Sequence, residues 1–483
     1  MRLPGDVLLV ACYELGHQPL SVAWPAAFLE RAGYTPAVMD LSVEPFDPEK
    51  VTRARFIAIA VPMHTALRLG VIASRRIRSL NPTAHICFYG LYAALNAPEL
   101  LTDACADSVL AGELEAELVE QVRRRLEAGE PVEVEVGEAR RANASLSERA
   151  SPTSTSTGSP AGSRRAELGK LNFPVPARHA LPGIKKYAHV ERAGRRDLAA
   201  YVEASRGCKH HCRHCPIPPV YDGRFFVVPV DTVMADVRQQ VEAGASHVTF
   251  GDPDFLNGPR HGLAVARALH AELPRVTFDF TAKVEHLLRE RLHLGELAEL
   301  GCAFIVTAAE SLDDRVLGYL DKGHTARDLV AALGAAREAG IALRPTWVAF
   351  TPWTTLEGYR QWLDFLADEA LVDHVDPVQY GIRLLIPPGS LLLDLPQMRP
   401  HLGELVPGGF HYRWTHPDPR VERLAEEVAG VVAAGAERNE DAALTFDRVR
   451  GLAAAAAGAP APEPLGLTAN RTRPPRLTEP WFC

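Results

Sequence analysis

Cys208, Cys212 and Cys215 stand in the run Ala204-Ser205-Arg206-Gly207-Cys208-Lys209-His210-His211-Cys212-Arg213-His214-Cys215. Four-iron clusters are held by Cys thiolates, normally four of them. A compact loop with three and no fourth close by would hold such a cluster with one iron open, and an open iron takes its last ligand from substrate or cofactor. These three are the candidate catalytic and metal-ligating residues. Two other uses of the same residues stand beside this one. A zinc site would close a tetrahedron with a fourth Cys or His, and His210, His211 and His214 are near, although closure usually pairs two short ligand hairpins. Disulfides fit poorly, because eight Cys in 483 residues with no secretory signal imply a reducing compartment.

A loop of this kind needs regular elements to hold it. Residues 6–127 alternate short apolar runs (7–12, 37–40, 56–61, 85–89, 108–111) with amphipathic stretches (26–32, 70–80, 113–126), a parallel β/α rhythm. Five such strands predict a flavodoxin-like doubly wound sheet over residues 1–130. Its ligand crevice lies at the carboxyl ends of the strands, where the loops are 13–19, 62–65 and 90–93. Residues 131–197 read as a linker, with 141–165 rich in Ser, Thr, Ala, Pro and Gly and expected to be disordered. The rhythm resumes over 198–395, with a strand into the Cys loop, a helix at 230–243 and strands at 246–251, 275–280, 303–308, 343–350 and 377–386. In β/α barrels reactive groups collect at the carboxyl ends of the strands. A helical extension over 396–452 and a flexible tail over 453–483 complete the predicted order.

The Cys-x3-Cys-x2-Cys spacing resembles the radical S-adenosylmethionine (SAM) superfamily. That resemblance implies a partial (β/α)6 TIM-like barrel, a 4Fe-4S cluster, SAM chelating the open iron through its amino and carboxylate groups, and cleavage of its C–S bond by one electron to give a 5′-deoxyadenosyl radical. It further implies roles for residues at the strand ends. His214 would lie against adenine, or else be a solvated loop histidine. Gly251 and Asp252, in Phe250-Gly251-Asp252-Pro253-Asp254-Phe255, would meet the SAM ammonium, or form an ordinary Asp-Pro turn. Glu310 and Ser311, in Thr307-Ala308-Ala309-Glu310-Ser311, would reach the ribose or carboxylate region, while Lys322 to Thr325 would end one helix and cap the next. The backbone of Gly381 and Ile382 would meet adenine. At the third strand, alternation puts Lys283 and Glu285 on one side and His286 on the other, as substrate contacts or surface charges.

The N-terminal domain resembles the cobalamin-binding modules fused ahead of many such barrels. The Asp-x-His-x-x-Gly motif that supplies an axial histidine in many cobalamin proteins is absent, so His17 reads as a cobalt ligand or a loop-packing residue and cobalamin is left open. The last residues, Leu477-Thr478-Glu479-Pro480-Trp481-Phe482-Cys483, together with loops 13–19, 61–65 and 251–255, resemble the radical SAM family named for its CUAEP or CCAEP tail, where U is selenocysteine. In that family Ala-Glu-Pro follows the paired chalcogen residues. The resemblance implies a chain truncated before a selenocysteine codon; the alternative is a free thiol at a genuine terminus.

Composition narrows the field. A hydrophobic fraction of 47% supports sizeable cores, and a net charge of −8 argues against a nucleic-acid surface. No apolar run approaches the roughly 20 residues of a membrane span, and the first apolar run is too short for a signal-peptide core; the expected location is the cytoplasm. The function expected is reductive SAM cleavage that starts radical chemistry on an unidentified small-molecule or peptide substrate, with cobalamin-assisted methyl transfer as one outcome and a flavodoxin or ferredoxin as electron donor. A non-catalytic iron–sulfur sensing module and a methylthiotransferase are the alternatives; the latter lacks here a second three-Cys cluster and an RNA-binding barrel.

Overall fold

The computed structural model describes residues 2–103, 105–128, 172–468 and 470–479. The disorder expected over 141–165 and the tail residues 480–483 fall outside the described residues.

Almost unbroken apolar runs give the first sheet: β1 Val7–Ala11, β2 Ala37–Asp40, β3 Phe56–Ala60, β4 His85–Tyr89 and β5 Ser108–Leu110. They pair in parallel in the order β2-β1-β3-β4-β5. A parallel sheet is covered on both faces, so its strands carry no polar alternation. Leu8, Val10, Ile57 and Ile59 pack on one side, and Leu9, Ala11, Ala58 and Ala60 on the other. Each Leu, Ile or Val among them contributes about 1.5–3 kcal/mol by leaving water. The strand order reverses between β1 and β3, which is where doubly wound sheets open their ligand crevice. The helix Leu20–Arg31 follows β1, and its N-cap, Pro19, makes no side-chain cap bond. Glu14 substitutes, accepting from Leu20 N at 3.1 Å and Ser21 Oγ at 2.5 Å.

The second sheet begins with β6 His189–Arg192 and β7 Arg195–Val202. A short hairpin, β8 Ser205–Gly207 with β9 Phe225–Val227, brackets the Cys loop. The barrel continues through β10 His247–Phe250, β11 Thr277–Thr281, β12 Cys302–Glu310 and β13 Ala342–Trp347, all parallel to β7. Val248, Phe250, Phe278, Phe280 and Leu343 join the core under the outer helices. The inner face is polar low in the barrel, where Asp279 Oδ1 accepts from Thr249 Oγ1 at 2.7 Å and lies 2.8 Å from His247 Nε2.

The predicted sixth strand at 377–386 does not form. Pro377–Gly381 is a 3-10 turn, and one bridge, Phe350 to Arg383, is what remains of the pairing. Pro377 lacks an amide hydrogen, and the Gln379 side chain takes the Trp347 amide at 3.0 Å that a neighbouring strand would otherwise accept. The turn packs instead on the helix Pro419–Glu437, with Gly381 facing Ala429 and Arg383 paired to Glu422 at 2.8 Å.

Two late elements reach back. The hairpin β14 Leu402–Leu405 and β15 Tyr412–Trp414 places Phe410 in the core of the N-terminal sheet. The final strand, β16 Arg476–Leu477, pairs with β6, giving the order β13-β12-β11-β10-β7-β6-β16.

Candidate functional site

The Cys loop leaves the barrel at the carboxyl end of β7. Gly207, at φ 73°, makes the turn into it, and any side chain there would strike the Arg224 carbonyl. Lys209 Nζ donates to Asn257 O at 2.7 Å, and Arg213 donates to Gly318 O and Tyr319 O at the end of the helix Asp314–Leu320. The loop is thus pinned at both shoulders. Cys212 is buried, Cys208 and Cys215 half-buried, and none is in a disulfide. Among the described residues, the group that draws three ligand atoms within 4.8 Å is His210, Asp254 and His286, not the three Cys. One zinc ion with bonds of 2.3 Å would bring its sulfurs to about 3.8 Å. The wider thiol spacing suits a cluster with an iron behind each sulfur, and the 4Fe-4S reading fits these residues better than zinc.

His214 and Glu310 do come together. Glu310 ends β12 at φ 66°, buried, with Oε1 3.2 Å from both His214 Nε2 and Lys322 Nζ. Burial pushes the carboxyl up, but Lys322 and His214 outweigh it and hold it down to about 2. Lys322 therefore does more than end a helix, while Thr325 caps the next through a capping box with Asp328. The sequence signal for Lys322 was the Lys-Gly pair itself, read as punctuation. Ser311 does not join this group; its Oγ accepts from Asp313 N at 3.0 Å.

Asp252 departs from expectation. Rather than standing free for an ammonium, it turns both oxygens back on the strand leading to the Cys loop, bonding Ser205 Oγ and Ala204 N. Burial raises its carboxyl to about 7. Gly251 has the close approach predicted for it, but to Tyr201, whose ring leaves no room for a methyl group. Gly381 faces Ala429 of the extension, and Ile382 offers its carbonyl to Phe350 N at 2.9 Å.

The raised Asp252 carboxyl has a measurable sign. A folded-state pKa above the unfolded one gives stability that is present in full below about 4 and lost as pH rises to about 7. Melting temperatures of the parent and Asp252→Asn, measured from pH 4 to 8, should therefore diverge, the parent losing ground with rising pH. Parallel profiles would contradict this.

Lys283, Glu285 and His286 were split by strand alternation, yet the structure unites them because Lys283 is the N-cap of the helix Val284–Arg289. Lys283 Nζ lies 2.9 Å from His210 Nδ1, His210 Nε2 is 2.9 Å from His286 Nε2, and His286 Nδ1 is 2.8 Å from Asp254 Oδ2. Lys283 donates to His210 Nδ1, which leaves His210 Nε2–H to donate to His286 Nε2; His286 Nδ1 lies near Asp254 without hydrogen-bond geometry. The ammonium beside His210 stands against a cation there.

Two strand-end loops of the N-terminal domain, those after β1 and β4, lie against the barrel side. His17 is buried, stacked on Tyr201 at 4.4 Å and bonded to Glu479 at 2.8 Å, so its ring is committed to packing rather than free for cobalt. The helix Leu91–Leu95, after β4, meets Val220 just past the Cys loop. Arg206, two residues before Cys208, pairs with Glu203, Glu113 and Glu115 at 2.7, 3.3 and 2.5 Å. Glu113 and Glu115 lie just beyond β5, so this buried network ties the two domains together. A cavity of 520 Å³ sits at the ends of β1, β2 and β3, lined by Cys12, Tyr13, Ser42, Thr65 and Lys186 among others.

Residues 202–351 match the model of the radical SAM superfamily and form a radical SAM domain. Among curated proteins, the chain is 27% identical over 356 residues to hopanoid C-3 methylase of Methylococcus capsulatus, covering 71% of this chain and 64% of that one. It is also 27% identical over 198 residues to the ribosomal protein uS12 methylthiotransferase RimO of the same organism, covering 38% and 45%. Among solved structures, the fold resembles the cobalamin-dependent SAM radical enzyme OxsB with aqua-cobalamin and SAM bound (TM-score 0.64, 15% identity, 89% of this chain, 66% of that). It also resembles the radical SAM methyltransferase TsrM of Kitasatospora setae with cobalamin and a [4Fe-4S] cluster bound (TM-score 0.55, 16% identity, 76% and 74%). The chain spans about two thirds of the methylase and under half of the methylthiotransferase.

Cys12, Cys87 and Cys302 lie singly in apolar cores, and burial drives each thiol well up. Their Ala variants should load iron like the parent. Loss of iron from Cys302→Ala would reveal a ligand outside the loop.

Proposed function

We propose that the chain is a radical SAM enzyme in which Cys208, Cys212 and Cys215 hold a 4Fe-4S cluster open at one iron. The observation that carries this is the three-thiol loop at the carboxyl end of the first barrel strand, pinned by Arg213 and Lys209 and too widely spaced for one ion. Cluster and SAM supply reductive C–S cleavage; the protein supplies orientation and exclusion of water. Lys322 and His214 hold Glu310 ionised beside the loop, where it suits the hydroxyls or ammonium of a bound SAM. Gly251 and Asp252 shape the adjoining strand end, Asp252 by fixing Ser205.

Methyl transfer is the reaction class favoured. Loop 13–19 meets the barrel at Tyr201 and the helix after β4 meets Val220 beside the Cys loop, which suits a cobalamin there serving substrate in the barrel. His17 being committed, such a cobalamin would be held without it below the metal. A ferredoxin or flavodoxin would deliver the electron. The CUAEP-tail relationship belongs to the same reading, and the gene sequence past codon 483 tests it. Anaerobic reconstitution, iron, sulfide and corrinoid analysis, and 5′-deoxyadenosine formation under dithionite test the rest. Protein that binds neither iron nor SAM would overturn the proposal.

A further inference from the structure

β6 runs antiparallel to β7, and β16 antiparallel to β6, so β16 runs in the same direction as the barrel strands. The chain leaving β16 therefore heads for the end of the barrel that carries the Cys loop. β16 and β13 terminate opposite ends of the strand order, yet the sheet curls until they meet. Arg344 of β13 donates to Pro475 O, and Leu477 packs with Val190, Ala199, Phe304 and Ala342 on the inner face. The side left open by the missing sixth strand is closed by the strap 471–479.

The strap is held along its length. Arg471 pairs with Asp373 and Asp441 at 2.6 and 2.9 Å, and Arg476 pairs with Glu191 at 2.9 Å. Thr478 exchanges two bonds with His189, its amide donating at 2.8 Å and its hydroxyl accepting at 2.9 Å. The last described residue, Glu479, then reaches the other domain, with Oε1 2.8 Å from His17 Nε2. The His17 ring, almost parallel at 14°, stacks on Tyr201, and the Tyr201 ring fills the space that Gly251 leaves. Nothing in the loop chemistry requires this relay, and three distant parts of the chain build it.

We infer that the strap 471–479 is a latched side wall of the barrel, and that Glu479 and His17 are positioning residues that set the Tyr201 ring against Gly251 at the SAM-facing strand end. A buried histidine clamped between an aromatic ring and a carboxylate has no rotational freedom, so it fixes the tyrosine; without Glu479 the stack loses its outer support. The second half of this inference rests on the radical SAM reading, and the first does not.

The test uses the full chain with Glu479→Ala, Glu479→Gln and Thr478→Pro, the last removing the amide that bonds His189. Hydrogen exchange is followed by mass spectrometry without SAM or cluster. In the parent, peptides over 472–479 and 189–192 should be protected. In Glu479→Ala and Thr478→Pro they should exchange at least about tenfold faster, while peptides over 247–250 and 302–310 keep the parent rate. Exchange of the parent strap at the rate of an unstructured peptide, or no change in either variant, overturns the latch. The positioning role is read on reconstituted protein as 5′-deoxyadenosine formation. Glu479→Ala should raise KM for SAM several-fold with kcat changed less than twofold, and Glu479→Gln, which keeps a hydrogen bond to His17, should restore most of it. Faster exchange with an unchanged KM would remove the positioning role and leave the wall. A parent that forms no deoxyadenosine would sink the radical SAM reading while the exchange result stood.

Discussion

Each of Cys208→Ala, Cys212→Ala and Cys215→Ala should abolish 5′-deoxyadenosine formation, to below about 1% of the parent, with a matching fall in bound iron and sulfide. Three thiolates are the least that hold a four-iron cluster with a single open iron, and among the described residues no further thiol lies in the loop. Of the neighbouring histidines, His210 is engaged at both ring nitrogens by Lys283 and His286, and His214 is held by Glu310 through Nε2. Burial raises the free Cys215 thiol to about 12. The thiolate at that position thus depends on metal, and losing one ligand weakens the remaining two. Parent-level turnover in all three variants would end the assignment. Loss in the Cys variants beside normal loading of Cys302→Ala would confine the cluster to the loop.

Arg206→Met should produce the largest loss of stability of any single change away from the cluster, about 3–5 kcal/mol, the usual result of removing one partner from a buried ion pair. Arg206 is the cation shared by Glu113, Glu115 and Glu203, and it packs beside the rings of Trp24 and Phe173. Methionine keeps much of the volume and none of the charge. Burial already lifts Glu113 to about 7 against the pull of Arg206. Without the guanidinium, the carboxyls must take up protons to stay buried. Folded-state values raised above the unfolded ones mean stability that is present at low pH and lost as pH rises through about 7 and beyond. Melting curves at pH 6 and pH 8 should therefore show a deficit in Arg206→Met that widens at pH 8. A variant within about 1 kcal/mol of the parent at both values would show that the network contributes little. Arg206→Lys should fall between, because an ammonium cannot serve three carboxylates with the fixed fork of a guanidinium.

The sequence exposed the two sheets because a strand buried on both faces leaves a plain apolar run, as in Val7–Ala11 and Phe56–Ala60. It misled at 377–386, where apolar residues pack against an added helix rather than in a ladder, and the proline and glutamine that decide this look unremarkable alone. The loop cysteines announce themselves by spacing. Lys322, Arg206 and Glu113 do not: each matters through a partner about ten to one hundred residues away, and no local pattern marks a buried charge. Lys283 to His286 were visible as polar residues, but a helix start puts them on one side where a strand would have parted them. Asp252 is legible as a strand-end carboxylate, but its partners are not, since the turn that carries it bends back toward Ser205.

The pairing of β16 with β6 joins residues 289 apart, through the bonds between His189 and Thr478. On a chain made from its amino end, β6 emerges with one edge unpaired and waits for the rest of the barrel and the long helices Pro419–Glu437 and Ala442–Ala457 to be synthesised. At about 5–20 residues per second that interval lasts some tens of seconds. An open strand edge is a template for pairing with another chain. Glu191 and Arg192 put charge on that edge strand. Charge there opposes the pairing of one newborn chain with another until β16 arrives.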